Sequence, residues 1–173
     1  MLSKKLHDAI NAQINAEMWS AYLYLSMSVD AADKGNKGIS NWFAVQFKEE
    51  QAHAQIFINY LVSRGCRVEL KAIDEVKTSW ETPLAAFEDT LAHEKKVTAL
   101  IHNLYEIAVE DKDYASQSML KWFVDEQVEE EESALEIIES LRRVGDNGLG
   151  MYMVDKDLAT RTYTTPAPLA GKE

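Results

Sequence analysis

Apolar residues recur at intervals of three, four and seven along four long stretches of the chain, the period of one α-helix face. The first stretch, about Ser3 to Ala32, aligns Leu6, Ile10, Ile14, Glu17, Ala21, Tyr24 and Ser28, with Ser3 as its N-cap. A turn follows at Asp33–Gly38. The second stretch, about Ile39 to Arg64, aligns Phe43, Phe47, Glu50, Ala54, Phe57 and Leu61 and stops at Gly65, a good helix terminator. The third opens on Thr82-Pro83, an N-cap followed by a first-turn proline. It aligns Phe87, Leu91, Glu94, Val97, Ile101, Tyr105 and Ala108 and ends near Val109. After a turn at Glu110–Asp113, the fourth runs from about Tyr114 to Val144 with Leu120, Phe123, Gln127, Glu130, Ala134, Ile137 and Leu141 on its stripe. Gly145, Gly148 and Gly150 then interrupt the pattern, and Met151 to Thr160 predicts a short fifth helix. Residues 161–173 read as a flexible tail beyond a bundle spanning 1–160.

Between the second and third stretches, Cys66 to Thr82 shows no helical period. Helices of roughly 26 residues are about 40 Å long, and roughly 17 extended residues reach at most about 60 Å. The segment can therefore run the length of a bundle and return the chain to its starting end. The expected fold is all-α: two antiparallel helical hairpins joined by one long crossover, a four-helix bundle with a short fifth helix.

Each of the four stripes contains a polar residue where burial is expected. Ionised groups cost several kcal/mol to bury unless a partner or a metal compensates them. His53 lies one turn after Glu50 on the same side, and Glu130 stands in the same relation to Gln127. Glu17 and Glu50 are separated by 33 residues, as are Glu94 and Gln127. Each hairpin thus carries one Glu followed by a pair spaced by three, a pseudo-repeat that brings all six groups to one level of the bundle. A hydrogen-bonded polar core is the alternative. It fits poorly, because Glu17, Glu50, Glu94 and Glu130 would face only His53 as a nearby cation. Two divalent metals would neutralise the four carboxylates. Oxygen-rich ligation with one imidazole and no thiolate suits iron or manganese better than structural zinc. A second acidic group, Glu49, Glu126 and Glu129, flanks the first. It reads either as a solvated face or as a third, more exposed cation site.

Composition narrows the class. The 173 residues are 46% hydrophobic, enough for one domain with a sizeable core, and three prolines and seven glycines favour helices. A net charge of −11 argues against nucleic acid and anionic membranes as partners. The single Cys66 excludes an intrachain disulfide framework, and the N-terminal Met1–Asp8 has no long apolar run. A cytoplasmic protein without membrane segments is expected.

At Glu17, Tyr24, Glu50, His53, Glu94, Gln127 and Glu130 the chain resembles the ferritin family, and within it the non-haem bacterial ferritins. The family's dimetal bundle has two Glu and two Glu-x-x-His pairs; this chain has Gln127-x-x-Glu130 as its second pair, which resembles the true-ferritin pattern. Gln51 stands where bacterioferritin-type chains have a haem-ligating methionine, so no haem is expected. Gln117 and Leu120 replace the pore carboxylates of animal ferritins, and Ala52 and Gln55 replace two of their mineral-nucleating glutamates.

The resemblance implies iron storage: oxidation of Fe(II) by dioxygen or peroxide at a dinuclear ferroxidase centre, and storage of Fe(III) as mineral in a homo-oligomeric shell of 24 subunits. Glu17, Glu50 and His53 would hold one iron, Glu94 and Glu130 the other, with Glu50 bridging. Gln127 would hydrogen-bond bound oxygen or water, and Tyr24 would supply an electron or a hydrogen bond. Glu49, Glu126 and Glu129 would hold a third iron. Two other classes remain open on the residues alone: a small di-iron or di-manganese enzyme without storage, and a helical interaction bundle without metal.

Overall fold

The computed structural model describes residues 2–171. Five helices follow in order: α1 (Lys4–Asp33), α2 (Lys37–Ser63), α3 (Pro83–Glu110), α4 (Tyr114–Val144) and α5 (Gly148–Leu158). The first and third start as expected. The Ser3 side chain accepts from Leu6 N at 3.0 Å, and Thr82 accepts from Ala85 N at 3.1 Å ahead of Pro83. Such caps each contribute about 1 kcal/mol. After α2, Gly65 takes φ 67°, the left-handed conformation that ends a helix without a Cβ penalty.

Two boundaries differ from expectation. The fifth helix starts at Gly148, not Met151, because Asn147 caps it by accepting from Gly150 N at 2.8 Å. Gly145, at φ 52°, is where the chain breaks, and Gly148 and Gly150 lie inside the helix. The second helix starts at Lys37, and its own N-cap residue, Asn36, makes no side-chain cap. Asp155 of α5 supplies one instead, accepting from Ile39 N at 2.9 Å.

The crossover has no regular structure and is held along α1. Asn11, Asn15, Trp19 and Ser26 donate to the carbonyls of Arg67, Ala72, Glu75 and Lys77, and Asp30 accepts from Trp80 N. Donor and acceptor numbers rise together, so the crossover runs parallel to α1 and α3 starts beside the start of α2. The extended segment satisfies its backbone through polar residues spaced along one face of α1. Among the described residues, no helix is long and apolar enough to cross a membrane.

The core is divided in two. One apolar cluster gathers Leu6, Ile10, Ile14, Phe57, Leu61, Ile101, Leu120 and Phe123; the other gathers Tyr24, Met27, Ile39, Phe43, Phe87, Ile138 and Leu141. Stacked rings cross each half, Phe57 on Phe123 at 4.1 Å and Phe43 on Phe87 at 4.9 Å between centroids. Full burial of each such ring contributes about 1.5–3 kcal/mol. Between the halves lies one polar layer. The buried faces also sit slightly off the expected stripes: Gln46, Thr90, Leu104 and Ile138 are buried, while Phe47, Leu91, Tyr105 and Ile137 are only half-buried. Beyond α5, Arg161 turns back onto α2, and Leu169 packs against the first cluster.

Candidate metal centre

All six stripe residues meet in the polar layer. Glu17, Glu50, His53, Glu94, Gln127 and Glu130 are each no more than 6% exposed. Each helix contributes at the level where its stripe passes between the two apolar halves, so the bundle's own geometry assembles the site. Tyr24 is fully buried two turns beyond Glu17 on α1, in the second cluster.

Two groups of ligand-type atoms lie within 4.8 Å of one another: Glu17, Glu50 and His53, and then His53, Glu126 and Glu130. His53 belongs to both. Its Nδ1 is 3.5 Å from Glu50 Oε2, and its Nε2 is 3.8 Å from Glu126 Oε1. Glu94 lies in neither group. Its Oε1 accepts from the Tyr24 hydroxyl, and its Oε2 accepts from Gln127 Nε2 at 3.2 Å. Glu130 stands beside His53 and Glu126, and Glu94 is held by its hydrogen bonds close enough to Glu130 to feel its charge.

Two glutamines complete the layer that the stripe pattern missed. Gln13 donates to Glu17 Oε1 at 2.8 Å, and Gln46 donates to Glu130 Oε2 at 2.6 Å and to Glu50 Oε1 at 3.5 Å. Each glutamine precedes a glutamate by four residues, Gln13 before Glu17 and Gln46 before Glu50. They are themselves separated by 33 residues, so extending the repeat one turn backwards would have found them. Thr98 is a further partner, its hydroxyl 3.3 Å from Gln127 Nε2.

Even so, among the described residues three buried side-chain atoms have no hydrogen-bond partner: Glu17 Oε2, Gln46 Oε1 and His53 Nε2. Buried polar atoms are nearly always hydrogen-bonded. Unpartnered carboxylate and imidazole atoms within a cluster of ligand-type groups are what a cation would use.

The electrostatics agree. Burial pushes Glu50 well above the usual carboxylate range, with Glu94 and Glu17 repelling its charge and His53 opposing them. Glu94 is pushed up to about 8, first by burial and then by Glu130, against the Tyr24 and Gln127 hydrogen bonds. Glu130 is raised by burial as well. Burial disfavours the His53 cation, but Glu126 and Glu50 outweigh it and hold the ring's pKa well above its ordinary value. The carboxylates crowd negative charge that the protein itself compensates only in part.

The outer acidic residues separate. Glu126 joins the second group. Glu49 is half-buried and carries an ion pair from Arg161 Nη2 to its Oε2 at 2.5 Å. Glu129 is exposed and outside both groups. Of the run that follows, Glu131 accepts from Thr98 at 2.6 Å, and Glu132 is exposed. The positions aligned with animal pore carboxylates are structural here: Leu120 is fully buried, and Gln117 donates to Ala108 O at 3.0 Å.

Aromatic rings close the centre. Trp122 stands edge-on to His53 at 5.6 Å, and His93 stands edge-on to Tyr24 at 6.0 Å. His93 also lies 2.8 Å from Ser20 Oγ, and burial lowers its pKa to about 4, so it is a neutral ring at neutral pH.

A crossover-linked four-helix bundle with carboxylates and one imidazole in a buried layer defines the ferritin-like class, and its cluster fits a metal site. Residues 7–144 match the family model of the ferritin-like domain. The chain belongs to the ferritin family. It is 42% identical over 163 residues to a bacterial non-heme ferritin of Staphylococcus aureus strain MRSA252, covering 94% of this chain and 98% of that one. It is 44% identical over 161 residues to a bacterial non-heme ferritin of Bacteroides fragilis strain 638R, covering 93% and 100%. Among solved structures, the open pore ferritin of the hyperthermophilic archaeon Archaeoglobus fulgidus superposes with a TM-score of 0.93 at 47% identity, covering 94% of this chain and 100% of that one. A humanized archaeal ferritin gives 0.94 at 46% identity, covering 95% and 99%. Family membership supports iron storage, and the carboxylate–imidazole cluster fits a metal site.

Proposed function

We propose that this chain is the subunit of a cytoplasmic, homo-oligomeric iron store, a shell of 24 copies that takes up Fe(II), oxidises it at a dinuclear centre and keeps Fe(III) as mineral. The observation that carries the reading is the pair of buried, unpartnered atoms Glu17 Oε2 and His53 Nε2 in a layer crowded with carboxylates. No haem takes part.

Iron is the substrate. Glu17, Glu50 and His53 receive one Fe(II), Glu130 and Glu94 the other, and Glu50 lies between them. Glu94 leaves its bonds to Tyr24 and Gln127 or shares them to do so. Each Fe(II) gives one electron; dioxygen takes the pair with two protons and leaves as hydrogen peroxide, which can itself oxidise further Fe(II). The two Fe(III) outweigh the four carboxylates in charge, which favours hydrolysis and movement toward a mineral. Gln127 adds no charge, so the second site holds iron less tightly and releases product more readily. The Tyr24 hydroxyl is positioned to steady Glu94 as charge builds. Glu49, Glu126 and Glu129 would hold a third, outer iron.

Aerobic loading with excess Fe(II), followed by size-exclusion with light scattering, tests the reading. A particle near half a megadalton holding hundreds of irons is the expected result. A monomer or dimer that stops at two irons per chain would make the protein a di-iron enzyme instead. Rapid-mixing oxidation by Glu50→Ala and His53→Ala should be slowed by more than the roughly 10–100-fold that loss of a ligand's hydrogen-bond partner alone typically costs. Wild-type rates in both would rule out the assignment.

A further inference from the structure

The outer carboxylate Glu49 already has a cation. Arg161, three residues past the end of α5, reaches back to α2 and donates from Nη2 to Glu49 Oε2 at 2.5 Å. Its Nη1 donates to Trp42 O at 3.3 Å, and its guanidinium lies over the Trp42 ring, 4.3 Å from the centroid. The Arg161 backbone is tied as well, its carbonyl accepting from Asn41 Nδ2 at 2.9 Å. Among the described residues, Glu49 is the one carboxylate of the inner and outer groups paired with an arginine or lysine. Guanidinium–carboxylate pairing and stacking on an indole are both geometries that arginine satisfies and lysine satisfies less well.

We infer that Arg161 is a resident counter-cation at the outer site, one that iron must displace from Glu49, so that Arg161 sets how weakly the third iron binds. The inference rests on Glu49 belonging to that third site. An ion arriving at the inner layer meets unpartnered atoms at Glu17 and His53. An ion arriving at the outer site must first break an ion pair whose side chains are only 25% and 18% exposed. At low Fe(II) the inner pair therefore fills first, and the third ion binds only when iron is plentiful. The tether through Asn41 and Trp42 keeps the guanidinium nearby, so the pair re-forms once the third ion leaves. Trp42 offers a waiting position for the displaced guanidinium, since the indole face and the Trp42 carbonyl hold it without Glu49.

Isothermal titration of the assembled, metal-free protein with Zn(II), a redox-silent probe, tests this. In Arg161→Met, which keeps an aliphatic contact on Trp42, the third binding step should tighten about tenfold, or about 1.4 kcal/mol, while the first two steps are unchanged. Arg161→Lys should leave the third step within about threefold of wild type, since the charge remains, or about 0.65 kcal/mol. A third step that is unchanged or weaker in Arg161→Met would overturn the counter-cation role and make Arg161 a structural tether. Glu49→Gln separates this from the underlying reading. If the third step is absent from every protein, or is indifferent to Glu49→Gln, the third site is not where Glu49 lies and both ideas fall. A third step seen only in Arg161→Met would support the inference in its strongest form. A second readout needs no change at Arg161: filling of the third step in wild type should alter tryptophan emission through Trp42, and Trp42→Phe should remove that signal. Emission indifferent to the third step would count against displacement.

Discussion

Gln46 on α2 donates to Glu130 on α4 across 2.6 Å and reaches Glu50 on its own helix at 3.5 Å. One buried amide thus joins a carboxylate from each hairpin, while its own Oε1 is left without a partner. It sets the orientation of the carboxylates from which the centre is built.

Replacing Gln46 by leucine would leave the buried Glu130 carboxylate without that donor. A hydrogen bond to a charged buried group contributes about 1.5–3 kcal/mol. The metal-free Gln46→Leu protein should be less stable by about that amount at pH 7, with a lower denaturant midpoint, and its rapid-mixing oxidation of Fe(II) should slow several-fold. A midpoint and a rate equal to wild type would show that Glu130 is oriented by other means.

Tyr24→Phe tests the hydroxyl apart from the ring. The ring's packing on Phe43, stacked at 6.1 Å, survives the change, and only the donor to Glu94 is lost. Thermal stability should change by less than about 2 kcal/mol, while single-turnover oxidation slows. An unchanged rate would leave Tyr24 as a packing residue.

The raised carboxylates predict how stability depends on pH. An acid whose folded pKa exceeds its unfolded value keeps its proton longer when folded, so the unfolded state binds fewer protons and stability falls as pH rises. Glu94 at about 8 and Glu49 at about 7 contribute in this sense from their unfolded values near 4.5 upward. His53, also raised, has the same sign: its contribution is full below about 6.5, its unfolded value, and is lost as pH rises through its higher folded value. The metal-free protein should therefore melt at a lower temperature at pH 8 than at pH 5.5. Divalent metal should reverse the trend and release protons on binding. Glu50→Gln, which removes one of the crowded charges, should raise the metal-free melting temperature at pH 8 while weakening metal binding. A melting temperature that rises from pH 5.5 to pH 8 without metal would contradict this crowding of charge.

Gly38 marks where α5 docks. A Cβ there would stand 1.5 Å from Asp155 O, a backbone atom that can move only with the whole helix. Gly38→Ala should push α5 off α2 and break the cap from Asp155 to Ile39 N. Overpacking of this kind costs about 1–3 kcal/mol. The variant should keep its bundle by circular dichroism but form fewer full-size particles in light scattering. Full assembly with a wild-type melting temperature would show that α5 can re-seat at no cost.

The helical hairpins, the crossover and the six buried ligand-type residues could be read from the chain, because helix periodicity and local caps are short-range properties. Glu17, Glu50, Glu94 and Gln127 announced themselves as charged or polar residues inside apolar stripes, and the interval of 33 residues placed them at one level. What the periodicity could not supply was which side chains face which across the bundle. Glu126 reaches His53, and Glu94 is held by Tyr24 and Gln127, because helix rotation and rotamer choice are decided by packing on all four helices at once. The start of α2 depends on Asp155, more than a hundred residues away, and Glu49 depends on Arg161 from a segment that carries no pattern of its own. A residue's local sequence states its helix and its face; the partner that neutralises its charge is chosen only when the distant chain arrives beside it.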